Sequence, residues 1–512
     1  MGRNILFITT DQQRYDALGC NGGKIARTPV IDALAKKGIV YRRAHNQSTV
    51  CMPARTTMLT GMYPRTHGVI TNGRRYSHRN PTVASYLKKQ ANYRTALLGK
   101  AHFDPILTTE YWENTAAAKG TTGPHRGFER IECLFHSGRA GRNLMHYPKW
   151  LRDNHPEEVD GYFLFGNYAT KRVTVSTYRG GETGAVQVKH NPIPRDLYHS
   201  DWVADRTIDY LDTVKKRENW FVWMSFPDPH HPWDPPDSEL YRCNWRDLKL
   251  PVAHGGSVEK NRKILARKPR HWLEWFEGKK QFNFELPKTF VPASMTDDQV
   301  REIDAMCHIE NEIIDEAMGR VLDYVDGRGW GENTDVIFTT DHGELQGDYG
   351  MLFKGPAHVD SLMRVPMVWR PAPGVKIRAK ELETPVGHVN LAPTFCEIAG
   401  VPVPEWMQEK PLPTTKSDRR ERVITEWEDE YKGNHLKFVT IYRDGYICTA
   451  YEKTSYYEGT EGELYDVNED PRQWRNLWDV KKYKSLRADL VADLYDHLPP
   501  ARKTALPRLE MV

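Results

Sequence analysis

The stretch Asn4-Ile-Leu-Phe-Ile-Thr-Thr10 is apolar and β-rich throughout, shows no polar alternation and ends on Asp11. A strand of that kind is buried on both faces, as in a parallel sheet covered by helices on either side. The residues that follow keep to the same plan. Thr28–Lys37 reads as a helix, with Thr28 as its cap, Pro29 at the first helical position and Gly38 just past its end. A strand is expected over Ile39–Ala44, a helix over Thr82–Gln90, and a short strand over Thr95–Leu98 that closes on Gly99-Lys-Ala-His102. Strand–helix–strand alternation at this spacing predicts an α/β fold around a large, mostly parallel sheet.

Two irregular stretches interrupt the alternation. Asp104–Tyr198 is rich in Gly, aromatics and charge, too long for a simple loop, and is expected to hold small strands and lids over a site. Its Trp112, Tyr147 and Trp150 suit either an aromatic pocket or plain packing. Asp237–Pro292 is dense in Trp, Lys and Arg. Between and after them come a helix near Asp201–Lys215, a strand at Trp220–Phe226, an amphipathic helix over Asp297–Asp326 and a strand over Asp335–Thr340 ending on Asp341. Past about residue 400 the pattern turns to short strands, then a helix at Ser485–His497. The expected division is a catalytic unit over residues 1–400 and a smaller C-terminal lobe with a short antiparallel sheet over 401–512.

Composition excludes several classes. The 72 Lys and Arg against 68 Asp and Glu leave +4, too near balance for a nucleic-acid or membrane partner. The basic runs Lys260–Lys268 and Lys279–Lys280 read as solvated surface. Seven scattered cysteines without metal spacing argue for a reducing compartment. No secretory leader and no bilayer-length apolar run is visible, so the chain is read as cytoplasmic and the sequon Asn46-Gln-Ser48 as chance.

Asp11-Gln12 and Asp341-His342 both sit just past the carboxyl end of an apolar strand, where open α/β sheets place ligands. Together they offer one divalent cation two carboxylates, an amide and an imidazole. A third segment, Cys51-Met-Pro53-Ala-Arg55, opens a helix running to about Thr60, with Pro53 in its first turn. Free N–H groups at that end favour an anion, and Arg55, four positions on, falls on the same face as Cys51. A nucleophile beside a guanidinium suits attack on a tetrahedral oxyanion ester. Without further matches, the same residues also describe a small buried Cys before an ordinary helix.

Cys51-x-Pro53-x-Arg55 followed by Leu59-Thr-Gly61 resembles the signature of the formylglycine-dependent sulfatases of the alkaline phosphatase superfamily. Gly99-Lys100-Ala-His102, Pro229-His230-His231-Pro232, Phe338-Thr-Thr-Asp341-His342-Gly343-Glu344 and Lys354 resemble further family elements, in order, over most of the chain. The resemblance implies an alkaline-phosphatase-like fold. It also implies oxidation of Cys51 to formylglycine by a formylglycine-generating enzyme. One hydroxyl of the aldehyde hydrate attacks sulfur or phosphorus, and the other loses its proton to expel the product anion. A thiol has no second hydroxyl with which to do this.

The same resemblance assigns Asp11, Gln12, Cys51, Asp341 and His342 to the metal. Arg55, Lys100 and Lys354 are to neutralise the ester oxygens, His102 to hold the nucleophile or sulfuryl group, and His230 to serve as general acid, with His231 its rival. Asn72 is a candidate donor to a substrate oxygen, although its Asn-Gly turn needs no such role. Gln12 and His342 depart from the commonest pattern, which makes manganese as plausible as calcium and resembles the phosphonate monoester hydrolase branch. Lys100 and His102 favour the sulfatases. The expectation is an arylsulfatase-like enzyme. The alternatives are a phosphonate monoester or phosphodiester hydrolase and a non-catalytic binding protein with an unmodified Cys51. A homo-oligomer is expected, with the Pro-rich end after Leu498 reaching a second subunit or lying frayed.

Overall fold

The computed structural model describes residues 2–106, 110–136, 145–158, 180–282 and 290–510. The strands in chain order are β1 (Asn4–Thr10), β2 (Ile39–Tyr41), β3 (Ala44–His45), β4 (Arg94–Gly99), β5 (Arg130–Cys133), β6 (Trp220–Ser225), β7 (Thr334–Thr340), β8 (Met367–Arg370) and β9 (Lys380–Leu382). They continue with β10 (Val386–Gly387), β11 (Arg422–Tyr431), β12 (Asn434–Arg443), β13 (Tyr446–Tyr451) and β14 (Gly462–Asp466). Eight of them form one sheet in the order β5-β4-β6-β1-β7-β8-β2-β9. It is parallel from β5 through β7, and β8 runs antiparallel to both neighbours.

The continuous apolar run of β1 is explained by its place. Leu6 and Ile8 face one core, Ile5 and Phe7 the other, and all four are fully buried. Each such side chain contributes about 1.5–3 kcal/mol of transfer free energy. The Leu6 face is covered by the helices His199–Asp212 and Asp297–Gly327, the Ile5 face by Val83–Ala91 and Leu391–Ala399. The long helix starts where Thr296 and Gln299 cap one another, side chain to backbone in both directions.

Register fixes the site. Thr10 pairs with Thr340, so Asp11 and Asp341 leave the sheet side by side, and Gly99 pairs with Ser225 on the next strands. The carboxyl ends of β4, β6, β1 and β7 thus open onto one edge.

The expected strand over Ile39–Ala44 divides into β2 and β3. The C-terminal sheet, in the order β11-β12-β13-β14, has longer strands than expected, because Lys432 and Gly433 take φ of 51° and 76° and close a tight hairpin between two ten-residue strands. Lys268 is not solvated. Its ammonium donates to the Tyr465 hydroxyl at 2.6 Å and lies over the rings of Tyr465, Trp272 and Tyr349. Tyr147 is packed against Trp202 and Trp112 stacks on His125, which makes both packing residues.

Residues 500–510 lie on the chain's own nucleophile region rather than away from it. Arg502 N–H donates to Arg65 O at 2.7 Å and Leu509 N–H to Gly73 O at 2.8 Å, while Leu506 packs on Met52, Val69 and Tyr76. Parts of the two irregular stretches, residues 107–109, 137–144, 159–179 and 283–289, lie outside the described residues, and with them some of the expected lids. All seven cysteines are free. Among the described residues no helix is long and apolar enough to cross a membrane.

Candidate active site

The helix Cys51–Thr60 begins at Cys51 itself, and every one of its residues is buried. Its first turn is capped from outside: Asn72 Oδ1 accepts from Met52 N–H at 3.0 Å. Asn72 therefore has a structural task that sequence reasoning did not assign to it. That helix end sets Cys51 beside the residues that follow β1 and β7.

There Asp11, Cys51, Asp341 and His342 bring one ligand atom each within 4.8 Å of one another, all buried. Cys51 Sγ stands 3.2 Å from His342 Nε2 and 3.9 Å from Asp11 Oδ1. His342 Nδ1 donates to Gly343 O at 2.9 Å, and since a carbonyl only accepts, Nε2 carries the lone pair. Burial lowers the His342 pKa, against the pull of Asp341. Two carboxylates and a neutral imidazole nitrogen around a common point suit a divalent cation.

Arg55 lies behind these ligands. Its guanidinium donates to Asp341 Oδ2 at 2.8 Å, Asp11 Oδ2 at 3.1 Å, Lys100 O at 2.8 Å and Ser225 Oγ at 2.9 Å. It organises the carboxylates, where the sequence reading aimed it at the ester. Asp341 Oδ1 accepts from the backbone of Gln12 at 3.1 Å and of His342 at 2.9 Å. Burial opposes ionisation of Asp341, but His342, Arg55 and Lys100 hold it well below the usual carboxylate range.

Lys100 pairs with Asp11 Oδ2 and points toward Cys51 Sγ at 3.9 Å. Burial lowers its pKa, and Asp11 opposes that. His102 is buried and takes φ of 57°, a strained conformation for a non-glycine residue of the kind that clusters at functional sites; its ring meets Phe135 edge-on. Lys354 donates to His230 Nε2 at 2.7 Å and to Gln12 Oε1 at 2.7 Å. Gln12 Nε2 donates to Glu344 at 2.6 Å and lies 3.1 Å from His231 Nδ1. The Gln12 side chain is thus turned to Lys354, Glu344 and His231, where a ligand role was expected of it. His230 Nδ1 donates to His231 O at 2.6 Å. Burial, then His136, Lys354 and His231, press its pKa well below the ordinary range. Burial and then Asp11 push the Cys51 thiol up to about 12, which leaves it without useful thiolate character near neutrality.

Sequence reasoning missed His136, Glu344 and Asp228. Asp228 Oδ2 accepts from Tyr198, His199 and Ser200 at 2.6–2.9 Å and its carbonyl from Asp11 N–H, so it seats the loop that carries His230. Glu344 belongs to the Asp341-His342-Gly343-Glu344 motif, whose spacing alone assigns it no role. His136 follows β5, a strand hidden in the irregular stretch. The strand-end rule that found Asp11 and Asp341 would also have found His136 had β5 been recognised.

A second group, Asp104, Glu113 and His125, also lies within 4.8 Å. Arg75 and Arg126 each hold Asp104 Oδ1 at 2.6 Å, so guanidinium already matches its charge. Burial and then Asp104 push Glu113 up to about 8.

This architecture, an eight-stranded mostly parallel sheet with the site at its carboxyl edge and a four-stranded C-terminal sheet, is the alkaline-phosphatase-like fold. It is shared with the phosphonate monoester hydrolase of Agrobacterium radiobacter, at TM-score 0.76, 22% identity and coverage of 96% of this chain and 95% of that one. The chain belongs to the sulfatase family, sulfuric ester hydrolases, whose model matches residues 3–401. A second model, the C-terminal part of N-sulphoglucosamine sulphohydrolase, matches residues 347–498. The chain is 27% identical to the sulfatase YidJ of Escherichia coli over 98% of its own length and 88% of the relative's. It is 26% identical to an arylsulfatase of Clostridium perfringens over 96% and 95%.

Proposed function

We propose that this protein hydrolyses sulfate monoesters of the aryl sulfate type, with formylglycine made from Cys51 as its nucleophile. The observation that carries the proposal is Cys51 Sγ standing among Asp11, Asp341 and His342, with Lys100 at 3.9 Å. A thiol pushed up to about 12 is a poor nucleophile in that place, and an aldehyde hydrate is a good one. Asp11, Asp341, His342 and residue 51 would hold one calcium or manganese ion. When bound, the ion supplies Lewis-acid polarisation and positive charge to the ester oxygens.

The protein's own groups do the rest. Arg55 holds both carboxylates in place through its guanidinium. Lys100 and Lys354 bring positive charge to the surroundings of residue 51, where negative charge develops on the transferring group. His230, held through Nδ1 by the His231 carbonyl, sets its Nε2 lone pair against the Lys354 ammonium, and that ammonium gives the departing oxygen its proton. His102 follows Lys100 on the same loop, and Asn72 steadies the start of the Cys51 helix. Residues 1–400 form the catalytic unit in this reading. The lobe over 401–512 buttresses it, and none of its described residues joins the ligand cluster.

Two measurements test the proposal. Mass spectrometry of the peptide containing Cys51, from a host with formylglycine-generating enzyme, should find CHO in place of CH2SH. Catalytic efficiency should then be higher on an aryl sulfate than on the matching phenyl phosphonate. A large preference for the phosphonate would transfer the protein to the reading that Gln12 and His342 favour.

A further inference from the structure

Three imidazoles stand in a column beside residue 51. His136 stacks on His230 with centroids 3.7 Å apart and planes 11° from parallel, and His231 stacks on the other face of His230 at 4.1 Å. The first two rings are held in the same way. Lys100 Nζ donates to His136 Nε2 at 3.0 Å, as Lys354 Nζ donates to His230 Nε2 at 2.7 Å. An ammonium only donates, so both Nε2 atoms carry lone pairs.

Two lysine–imidazole couples therefore lie face to face. One ends on Asp11 and points at residue 51 through Lys100. The other ends on Gln12 through Lys354. Phe135 backs the first couple, edge-on to His136 and beneath the Lys100 ammonium at 4.3 Å. His136 is only 2% exposed. An apolar ring would fill that space without the cost of burying a polar one, so the nitrogen facing Lys100 accounts for the imidazole.

We propose that His136 is a positioning residue of the proposed active site, which aims the Lys100 ammonium through Nε2 and fixes the ring plane of His230 through the stack. The role rests on reading the site as an ester hydrolase. Its two halves separate chemically. His136→Phe keeps a ring against His230 and removes the acceptor for Lys100. His136→Gln keeps an acceptor and removes the ring.

The experiment compares both variants with the unaltered enzyme on aryl sulfates whose phenols span a wide range of acidity. Melting temperature and Cys51 conversion are measured on each preparation. His136→Phe is expected to lose about tenfold in kcat/KM on every ester, with the dependence on phenol acidity unchanged. His136→Gln is expected to steepen that dependence, with little loss on para-nitrophenyl sulfate and about a hundredfold loss on phenyl sulfate, as a misaligned general acid does. Equal losses on every ester in both variants, or no loss in either, would overturn the role. An unaltered enzyme inactive on sulfates and phosphonates alike would overturn the hydrolase reading first, and this role with it.

Discussion

Gln12 accepts from the Lys354 ammonium through Oε1 at 2.7 Å while its Nε2 donates to Glu344 at 2.6 Å. An ammonium cannot accept and a carboxylate cannot donate, so the amide sits only one way round. Gln12 thereby ties the end of β1, beside the ligand cluster, to the Lys354–His230 couple. Its φ of 60° places this strain at the junction.

Replacing Gln12 by Met keeps the length of the side chain and removes both bonds. We expect kcat/KM to fall roughly 10–100-fold and stability to fall by about 1–3 kcal/mol. Steady-state kinetics and thermal melts check this, and unchanged kinetics would remove Gln12 from the site's machinery.

Asp341→Asn deprives the fully buried Arg55 of one of its two carboxylate partners. Breaking a buried pair costs about 3–5 kcal/mol, and a ligand oxygen is lost with it. Denaturant melts should move by that amount. Elemental analysis should find less divalent metal per chain than in the unaltered protein; equal metal content would exclude Asp341 as a ligand.

Stability should peak close to neutrality. Burial holds His45, His67, His358 and His388 down to about 3, below their ordinary 6.5. Their contribution is complete above the unfolded value and is lost as pH falls toward the folded one. Burial raises Glu113 to about 8 and Asp304 and Glu426 to about 7. Their contribution is present below the unfolded carboxylate values and is lost as pH rises through the folded ones. The two sets leave a maximum in melting temperature between about pH 6 and 7. Glu113→Gln should flatten the alkaline limb; an unaltered limb would assign that loss to other groups.

Gly73 has φ of 80°, and a Cβ there would run into the Glu510 carbonyl. Gly73→Ala should displace the tail from the loop whose Asn72 caps the Cys51 helix. We expect a loss of about 1–3 kcal/mol and faster proteolysis around residues 500–510. A tail as resistant as the original would show that the loop holds its shape unaided.

The strand ends and the nucleophile helix were legible because each is a local pattern. Asn4–Thr10 needed two buried faces, and Cys51-x-Pro-x-Arg needed a helix start. Arg55 was placed on the right face but given the wrong neighbours, since only the register of β1 against β7 shows that two carboxylates await it. His136 and Lys268 were hidden for the same reason. Their partners lie across the sheet or in the C-terminal lobe, and no spacing along the chain announces them.

The complete burial of Cys51–Thr60 has a consequence in time. His342, which closes over Cys51, comes 291 residues later in the chain. At roughly 5–20 residues per second, the ribosome supplies it about 15–60 s after Cys51 has been made. An enzyme that must reach the Cys51 side chain has that interval, before the sheet exists to enclose it. Slowing translation downstream of Cys51 should therefore raise the active fraction of the protein, and refolding the unconverted chain should not restore it.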